Sequence, residues 1–265
     1  MFFQQIQNNI NDFKQLIERI SSSMERYPGF DEAHYYPEKL VHSIRGEMEI
    51  ISSGAKTDAK VLEVDSFHCA RMMAAEGLEN ILVLNFANPV SPGGGVTRGA
   101  IAQEEDLCRH STLYFSLLSS EALPYYENHA RTMSNYSSDS LILSPHVYIV
   151  KDEKNQWLPE PVWVSVLTSA APICDEDLSD EDTYKKFQGM FQSRISGFLA
   201  VAKKLGYTNL VLGAYGCGAF GNDAKMVAQV FKEETEKSGF EKIYYGILPG
   251  NNRNAEVFKK IFNSQ

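Results

Sequence analysis

"ILVLNFANPVSPGGGVTRGAIAQEEDLC", residues 81–108, carries three textures in succession. First comes an apolar run, Ile81 to Ala87, with the pattern of a strand buried on both faces. Three adjacent glycines follow, Gly93, Gly94 and Gly95, where a bare backbone adopts shapes closed to other residues. A helix is predicted next, beginning near Ala100, with Gln103, Glu104 and Glu105 in its first turn. Strand, glycine loop and helix form the repeating unit of an open α/β sheet, in which ligands collect beyond the carboxyl ends of strands.

Outward from this stretch the pattern repeats. "VLEV" (61–64), "VWVSVLTSA" (162–170), "NLVLGA" (209–214) and "KIYYGIL" (242–248) read as further strands. Tyr184, Phe187, Phe191, Ile195, Phe198 and Leu205 mark the stripe of a long helix between two of them. Ile101, Leu107, Cys108, Leu113, Leu117 and Leu118 supply a buried side to one helix running from Ala100. At the N-terminus Phe3, Ile6, Ile10, Phe13, Ile17 and Ile20 recur at helical spacing. In residues 121–160 only "LILSPHVYIV" reads clearly, as extended chain. Apolar strands alternating with amphipathic helices predict an α/β domain, its mixed or parallel sheet covered on both faces. A helical extension precedes it.

Composition narrows the function. The formal net charge is −9, which excludes a generally basic surface and argues against sequence-specific nucleic-acid contacts. The four cysteines, Cys69, Cys108, Cys174 and Cys217, include no Cys-x-x-Cys pair. They offer neither a zinc site nor a disulfide framework. With no apolar run long enough to span a bilayer and no secretory leader pattern, the expectation is a cytoplasmic protein without a membrane partner.

A second glycine loop, "GAYGCGAFGND" (213–223), also follows a strand and precedes a helix. Two such loops can converge backbone N–H groups on the two phosphates of a pyrophosphate. Gly216, Gly218 and Gly221 have dinucleotide-fingerprint spacing, but no acidic residue closes the next strand, so a Rossmann dehydrogenase fits poorly. Phe220 serves either as core or as a platform for a ring or sugar. Cys217 is either a reactive thiol or a small residue that fits.

Glutamates favour the first turn of a helix through the macrodipole, which is the plain reading of Glu104 and Glu105. Their tether to a phosphate-binding loop suggests more. A carboxylate so close to a pyrophosphate reaches the attached sugar, and cleaving a glycosidic bond needs an acid at the leaving oxygen. Pro92, Val96, Ile101 and Phe220 are expected to provide the apolar surroundings that raise its pKa. Other chemistries lack their signatures: there is no Gly-x-Ser-x-Gly elbow, no His-Glu-x-x-His and no Walker loop. His110 is expected to be structural.

Together, "NFANPVSPGGGVTRGAIAQEEDLCRHSTLY" and "LGAYGCGAFGND" resemble the poly(ADP-ribose) glycohydrolases, specifically their bacterial-type, microbial branch. The resemblance covers about residues 60–250 and implies a three-layer α/β/α macrodomain with a mixed sheet, here over 59–265 behind a helical extension over 1–58. It implies an enzyme that hydrolyses ribose–ribose bonds of poly(ADP-ribose), without a metal or nucleotide cofactor, and that binds its product ADP-ribose. Glu105 would be the catalytic acid, and Glu104 would hold ribose hydroxyls. Asn88 would contact the distal ribose. Gly94, Gly95 and Val96 would supply backbone donors to the diphosphate from one side, and Gly93 and Gln103 would also bind substrate. Gly216, Cys217, Gly218 and Ala219 would face it from the other, with Phe220 against the terminal ribose and adenine near Asp65 and Ser66. Tyr215 departs from the tryptophan more often expected there. Two alternatives share the cleft: a hydrolase of single ADP-ribosyl groups on protein or DNA, and a module that binds ADP-ribose without cleaving it.

Overall fold

Seven strands form one mixed sheet in a computed structural model that describes residues 2–48, 57–250 and 253–263. They are β1 (His34–Tyr36), β2 (Asp58–Leu62), β3 (Ile81–Phe86), β4 (Leu141–Lys151), β5 (Trp157–Ser169), β6 (Asn209–Leu212) and β7 (Lys242–Gly246). Their order is β1-β4-β5-β3-β6-β7-β2. β1, β4 and β5 pair antiparallel, and every neighbour from β5 through β2 is parallel.

Among the described residues nine helices cover the two faces: α1 (Phe2–Ser21), α2 (Glu38–Met48), α3 (Ser66–Ala75), α4 (Gln103–His110), α5 (Leu113–Leu117), α6 (Leu123–Thr132), α7 (Glu181–Lys204), α8 (Ala224–Ser238) and α9 (Asn254–Asn263). Alternation along each strand divides the core. Leu82 and Leu84 of β3, with Leu210 and Leu212 of β6, pack with α2, α7, α8 and α9. Ile81, Val83 and Val211 point the other way, to α1, α3, α4, α5 and α6. Both faces of β3 are thus buried, as its continuous apolar run requires. Three helices start on an aspartate that accepts a first-turn N–H: Asp65 from His68, Asp180 from Thr183 and Asp223 from Met226.

The three layers expected from the sequence are present, with four local corrections. The strand read at 61–64 is β2 and ends at Leu62. The helix expected from Ala100 to Leu118 is two helices, because the chain turns extended at Ser111, and Thr112 bonds to β4 instead. Thr112 N–H donates to the Tyr148 carbonyl (3.1 Å), and its hydroxyl accepts from Tyr148 N–H (3.0 Å). Ile101 and Leu118, expected inside that longer helix, are exposed, as are Phe3 and Leu205 at the ends of their stripes. Finally, the extension over 1–58 is not wholly helical: it supplies the edge strand β1, and β2 begins within it at Asp58. Its residues 49–56 lie outside the described residues.

Among the described residues no helix is long and apolar enough to cross a membrane. Residues 121–160, hardest to read in the sequence, hold α6 and most of the β4–β5 hairpin, whose register shifts between Ser144 and Val147.

Candidate active site

The carboxyl ends of β2, β3, β6 and β7 open onto a cleft of about 410 Å³. Of the residues singled out in the sequence, Asp65, Ser66, Asn88, Gln103, Glu104, Glu105, Gly216, Gly218, Ala219 and Phe220 line it. Gly93, Gly94, Gly95, Val96 and Cys217 do not.

The first glycine loop stands behind the acid pair. Gly95 N–H donates to Glu105 Oε1 at 2.7 Å. Gly94 N–H bonds to the Ser91 carbonyl and Val96 N–H to the Gly93 carbonyl. All three donors expected to face a diphosphate are therefore engaged within the loop or by Glu105, and Val96 is fully buried. Close approach is what the glycines provide. At Gly94 φ is +59°, and a Cβ there would collide with Glu105 Oε1 and lie 3.0 Å from Glu104 Oε2. The loop is a clamp on the carboxylates rather than a phosphate cradle.

Both glutamates are buried at the start of α4, where the helix N-terminus favours negative charge. Glu104 Oε2 accepts from Asn88 N–H (2.7 Å), and its Oε1 accepts from Asn85 Nδ2 (3.3 Å). Burial pushes the Glu104 carboxyl up to about 8, against the pull of these two donors and of the Gly93 N–H, and with the help of the neighbouring Glu105 charge. The pair therefore retains one proton near neutral pH. Glu105 differs in one respect: its Oε2 is buried and has no hydrogen-bond partner among the described residues. Such an atom is costly unless a proton or a ligand satisfies it.

The second glycine loop keeps its donors. Cys217 N–H is engaged by the Ala214 carbonyl and Asn222 N–H by that of Gly216. The N–H groups of Gly216, Gly218, Ala219 and Phe220 have no protein acceptor among the described residues. Gly216, at φ +75°, would place a Cβ 2.7 Å from the Ala171 Cβ. Asn222 Nδ2 braces the turn on the carbonyls of Pro172 (2.7 Å) and Gly216 (2.9 Å). Cys217 is a correction in one respect, since its N–H is not available to a ligand; burial pushes its thiol up, and of the two readings of its side chain the small packed residue is the one that holds.

Gln103 also changes role. Its Oε1 accepts from Phe86 N–H (2.9 Å) while its Nε2 donates to the Leu84 carbonyl (2.8 Å) and the Ser66 hydroxyl (3.1 Å). It is a strut tying α4 to β3 and α3. Asn88 keeps its place on the cleft, its Oδ1 accepting from Val90 and Ser91 N–H (2.9 Å each). Asp65 lines the cleft while capping α3. Of the four residues expected to surround the acid with apolar atoms, Ile101 and Phe220 line the cleft and Val96 lies behind it. His110 is structural as expected, its Nδ1 2.8 Å from the Asp106 carbonyl. Sequence reasoning missed Phe86, Ile247, Leu248 and Asn254 on the walls. It also missed Asn85 beneath them, although a lone asparagine inside an apolar strand was a visible signal.

Away from the cleft, Glu38, His42 and Asp139 converge. Asp139 already accepts from Ser193 (2.6 Å) and pairs with Arg194 (3.1 Å) and His42 (2.8 Å), a network that ties α2 to α7.

The model of a protein family described as microbial-type PARG, catalytic domain, matches residues 2–152. Among solved structures, the chain is similar to poly(ADP-ribose) glycohydrolase from Deinococcus radiodurans in complex with ADP-ribose. Identity is 34% over 88% of this chain and 94% of that one, with a TM-score of 0.80. The enzyme of the same name from Thermomonospora curvata is 28% identical over 97% of this chain and 100% of its own, with a TM-score of 0.87. A second Thermomonospora curvata structure, bound to the inhibitor ADP-HPD, gives 27% identity over 96% and 99% and a TM-score of 0.84. No curated protein matches the sequence.

Proposed function

The chain belongs to the microbial-type poly(ADP-ribose) glycohydrolases, and on that premise we propose how its cleft hydrolyses the ribose–ribose bonds of poly(ADP-ribose) to release ADP-ribose. Glu105 is the general acid. The observation that carries this assignment is its divided carboxyl: Oε1 is fixed by Gly95 N–H, and Oε2 has no hydrogen-bond partner among the described residues. Glu104 has a donor on each oxygen, and hydrogen bonds to a carboxylate favour its charged form. Glu104 is thereby held for ribose hydroxyls, and Glu105 Oε2 is the oxygen left to meet the leaving group.

The terminal ADP-ribose binds with its diphosphate on the free N–H groups of Gly216, Gly218, Ala219 and Phe220. Adenine lies toward Asp65 and Ser66, and the distal ribose lies between Asn88, Glu104 and the Phe220 ring. Glu105 protonates the leaving 2′-oxygen as the bond from the anomeric carbon breaks and its electron pair goes to that oxygen. Water then adds to the oxocarbenium-like carbon and returns a proton to the Glu105 carboxylate. Fixed placement of the diphosphate contributes through orientation. The four free cysteines suit a reducing, cytoplasmic setting.

A substrate panel tests the reading. Purified polymer, mono-ADP-ribosylated protein and mono-ADP-ribosylated nucleic acid are incubated with the enzyme, and free ADP-ribose is measured. Release from polymer supports it, whereas release confined to the mono-modified substrates, or binding without release, contradicts it.

A further inference from the structure

We propose that Asn85, a residue out of reach of any substrate, is a positioning residue that directs the catalytic proton to Glu105 by holding Glu104. This rests on the glycohydrolase reading above and concerns the same site.

Asn85 lies on β3, with a side chain fully shielded from solvent, in a strand otherwise apolar from Ile81 to Phe86. A buried carboxamide in such a strand is unfavourable unless its hydrogen bonds are made. Its Nδ2 makes two, one to Glu104 Oε1 at 3.3 Å and one to Thr168 Oγ1 at 3.2 Å on the neighbouring strand β5. Thr168 pairs with Asn85 in register across the parallel β3–β5 ladder, so two rigid strands fix the direction of the amide. The Asn85 oxygen has no partner among the described residues, so the donor side of the amide makes the contacts and faces the carboxylate.

A donor on Glu104 but not on Glu105 has a chemical consequence. The two carboxyls share the surroundings of Gly94, and the negative charge of each raises the proton affinity of the other. Donors decide which one gives up its proton. Glu104 receives N–H groups from Asn88 and Asn85, and Glu105 receives one from Gly95. The Gly93 N–H also favours the Glu104 charge, so removing the Asn85 donor narrows the bias toward Glu105. The other titratable groups that feel the Glu104 charge, Cys108 on α4 and Tyr125 and Tyr126 on α6, are pushed up by burial and stay neutral near neutral pH.

Asn85→Leu and Asn85→Asp enzymes, with wild type and Glu105→Asn beside them, are assayed for ADP-ribose release from polymer across pH. ADP-ribose affinity is measured by calorimetry and folding by thermal melting. For Asn85→Leu we expect kcat to fall about tenfold to a hundredfold, the worth of one hydrogen bond to a charged group, with ADP-ribose affinity kept. Its activity should also persist to higher pH, because Glu104 then holds the proton more tightly. Asn85→Asp can donate only when its own carboxyl is protonated, so its activity should recover toward that of wild type as pH falls, while Asn85→Leu does not recover. A folded Asn85→Leu enzyme with wild-type kcat and pH profile overturns the inference. So does an Asn85→Asp enzyme that tracks Asn85→Leu at every pH. If Glu105→Asn is fully active, it is the glycohydrolase mechanism itself that fails.

Discussion

Gly94→Ala perturbs the acid pair from behind, at a position that does not itself line the cleft. Two costs follow from the geometry. The residue sits at φ +59°, where a side chain costs about 1–2 kcal/mol. The new methyl also collides with Glu105 Oε1 and lies 3.0 Å from Glu104 Oε2, with Gly93 and Gly95 behind it, so the carboxylates have to give way. Normal van der Waals contact requires Glu105 to move by about 1 Å, and displacements of that size cost on the order of 100-fold in rate. The N–H groups of Gly216, Gly218, Ala219 and Phe220, proposed above to hold the diphosphate, lie in a different loop and are unaffected. The expected phenotype is a kcat for ADP-ribose release lowered about 100-fold, with ADP-ribose affinity within a few-fold of wild type and a modestly lower Tm. Initial rates on purified polymer, calorimetry and a melting curve suffice. A folded Gly94→Ala enzyme with unchanged kcat would refute the clamp. Loss of ADP-ribose binding with kcat intact would restore the phosphate-cradle role that the structure takes from this loop.

Gly216→Ala is expected to do the reverse. At φ +75°, with a Cβ 2.7 Å from Ala171 and 2.9 Å from Asn222 Nδ2, it distorts the second loop and should weaken ADP-ribose binding about tenfold, with a smaller change in kcat, as calorimetry beside steady-state rates will show. Gln103→Leu removes the strut and strands the Phe86 N–H; urea unfolding should show a loss of about 1–3 kcal/mol with ADP-ribose affinity kept, and lost affinity at unchanged stability would make Gln103 a ligand contact instead. Glu104 links stability to pH. Its folded value lies above the ordinary 4.5, so its contribution is complete below pH 4.5 and is lost as pH rises through about 8. Melting temperatures of Glu104→Gln should therefore decline less than those of wild type as pH rises from about 4.5 to about 8, and parallel curves would contradict the raised value.

The residues that specify the layers were plain in the sequence, and those that specify hydrogen-bond partners were not. "ILVLNF" and "NLVL" announce buried parallel strands because both faces carry apolar side chains. The break between α4 and α5 was hidden: Ser111 and Thr112 interrupt the helix only because Tyr148, distant in sequence, offers competing bonds. α6 and the β4–β5 hairpin were obscured for a related reason, since a proline opens α6 and β4 changes register between Ser144 and Val147. At the site, the triple glycine said where the backbone can go and not which acceptor it meets. Gly95 meets Glu105, while the second loop keeps free N–H groups. The acid pair and its neighbour Asn88 were legible as chemistry. Their support through Asn85, Thr168 and Gln103 is made by side chains crossing between elements, which spacing along one chain does not reveal.

The assignment of Glu105 as proton donor is tested most directly by single-turnover release of ADP-ribose from purified polymer, wild type against Glu105→Asn, with ADP-ribose affinity measured on the same samples. Release should be lost by orders of magnitude while the nucleotide sugar still binds. Release at the wild-type rate from a variant that has no acid at position 105 would contradict it.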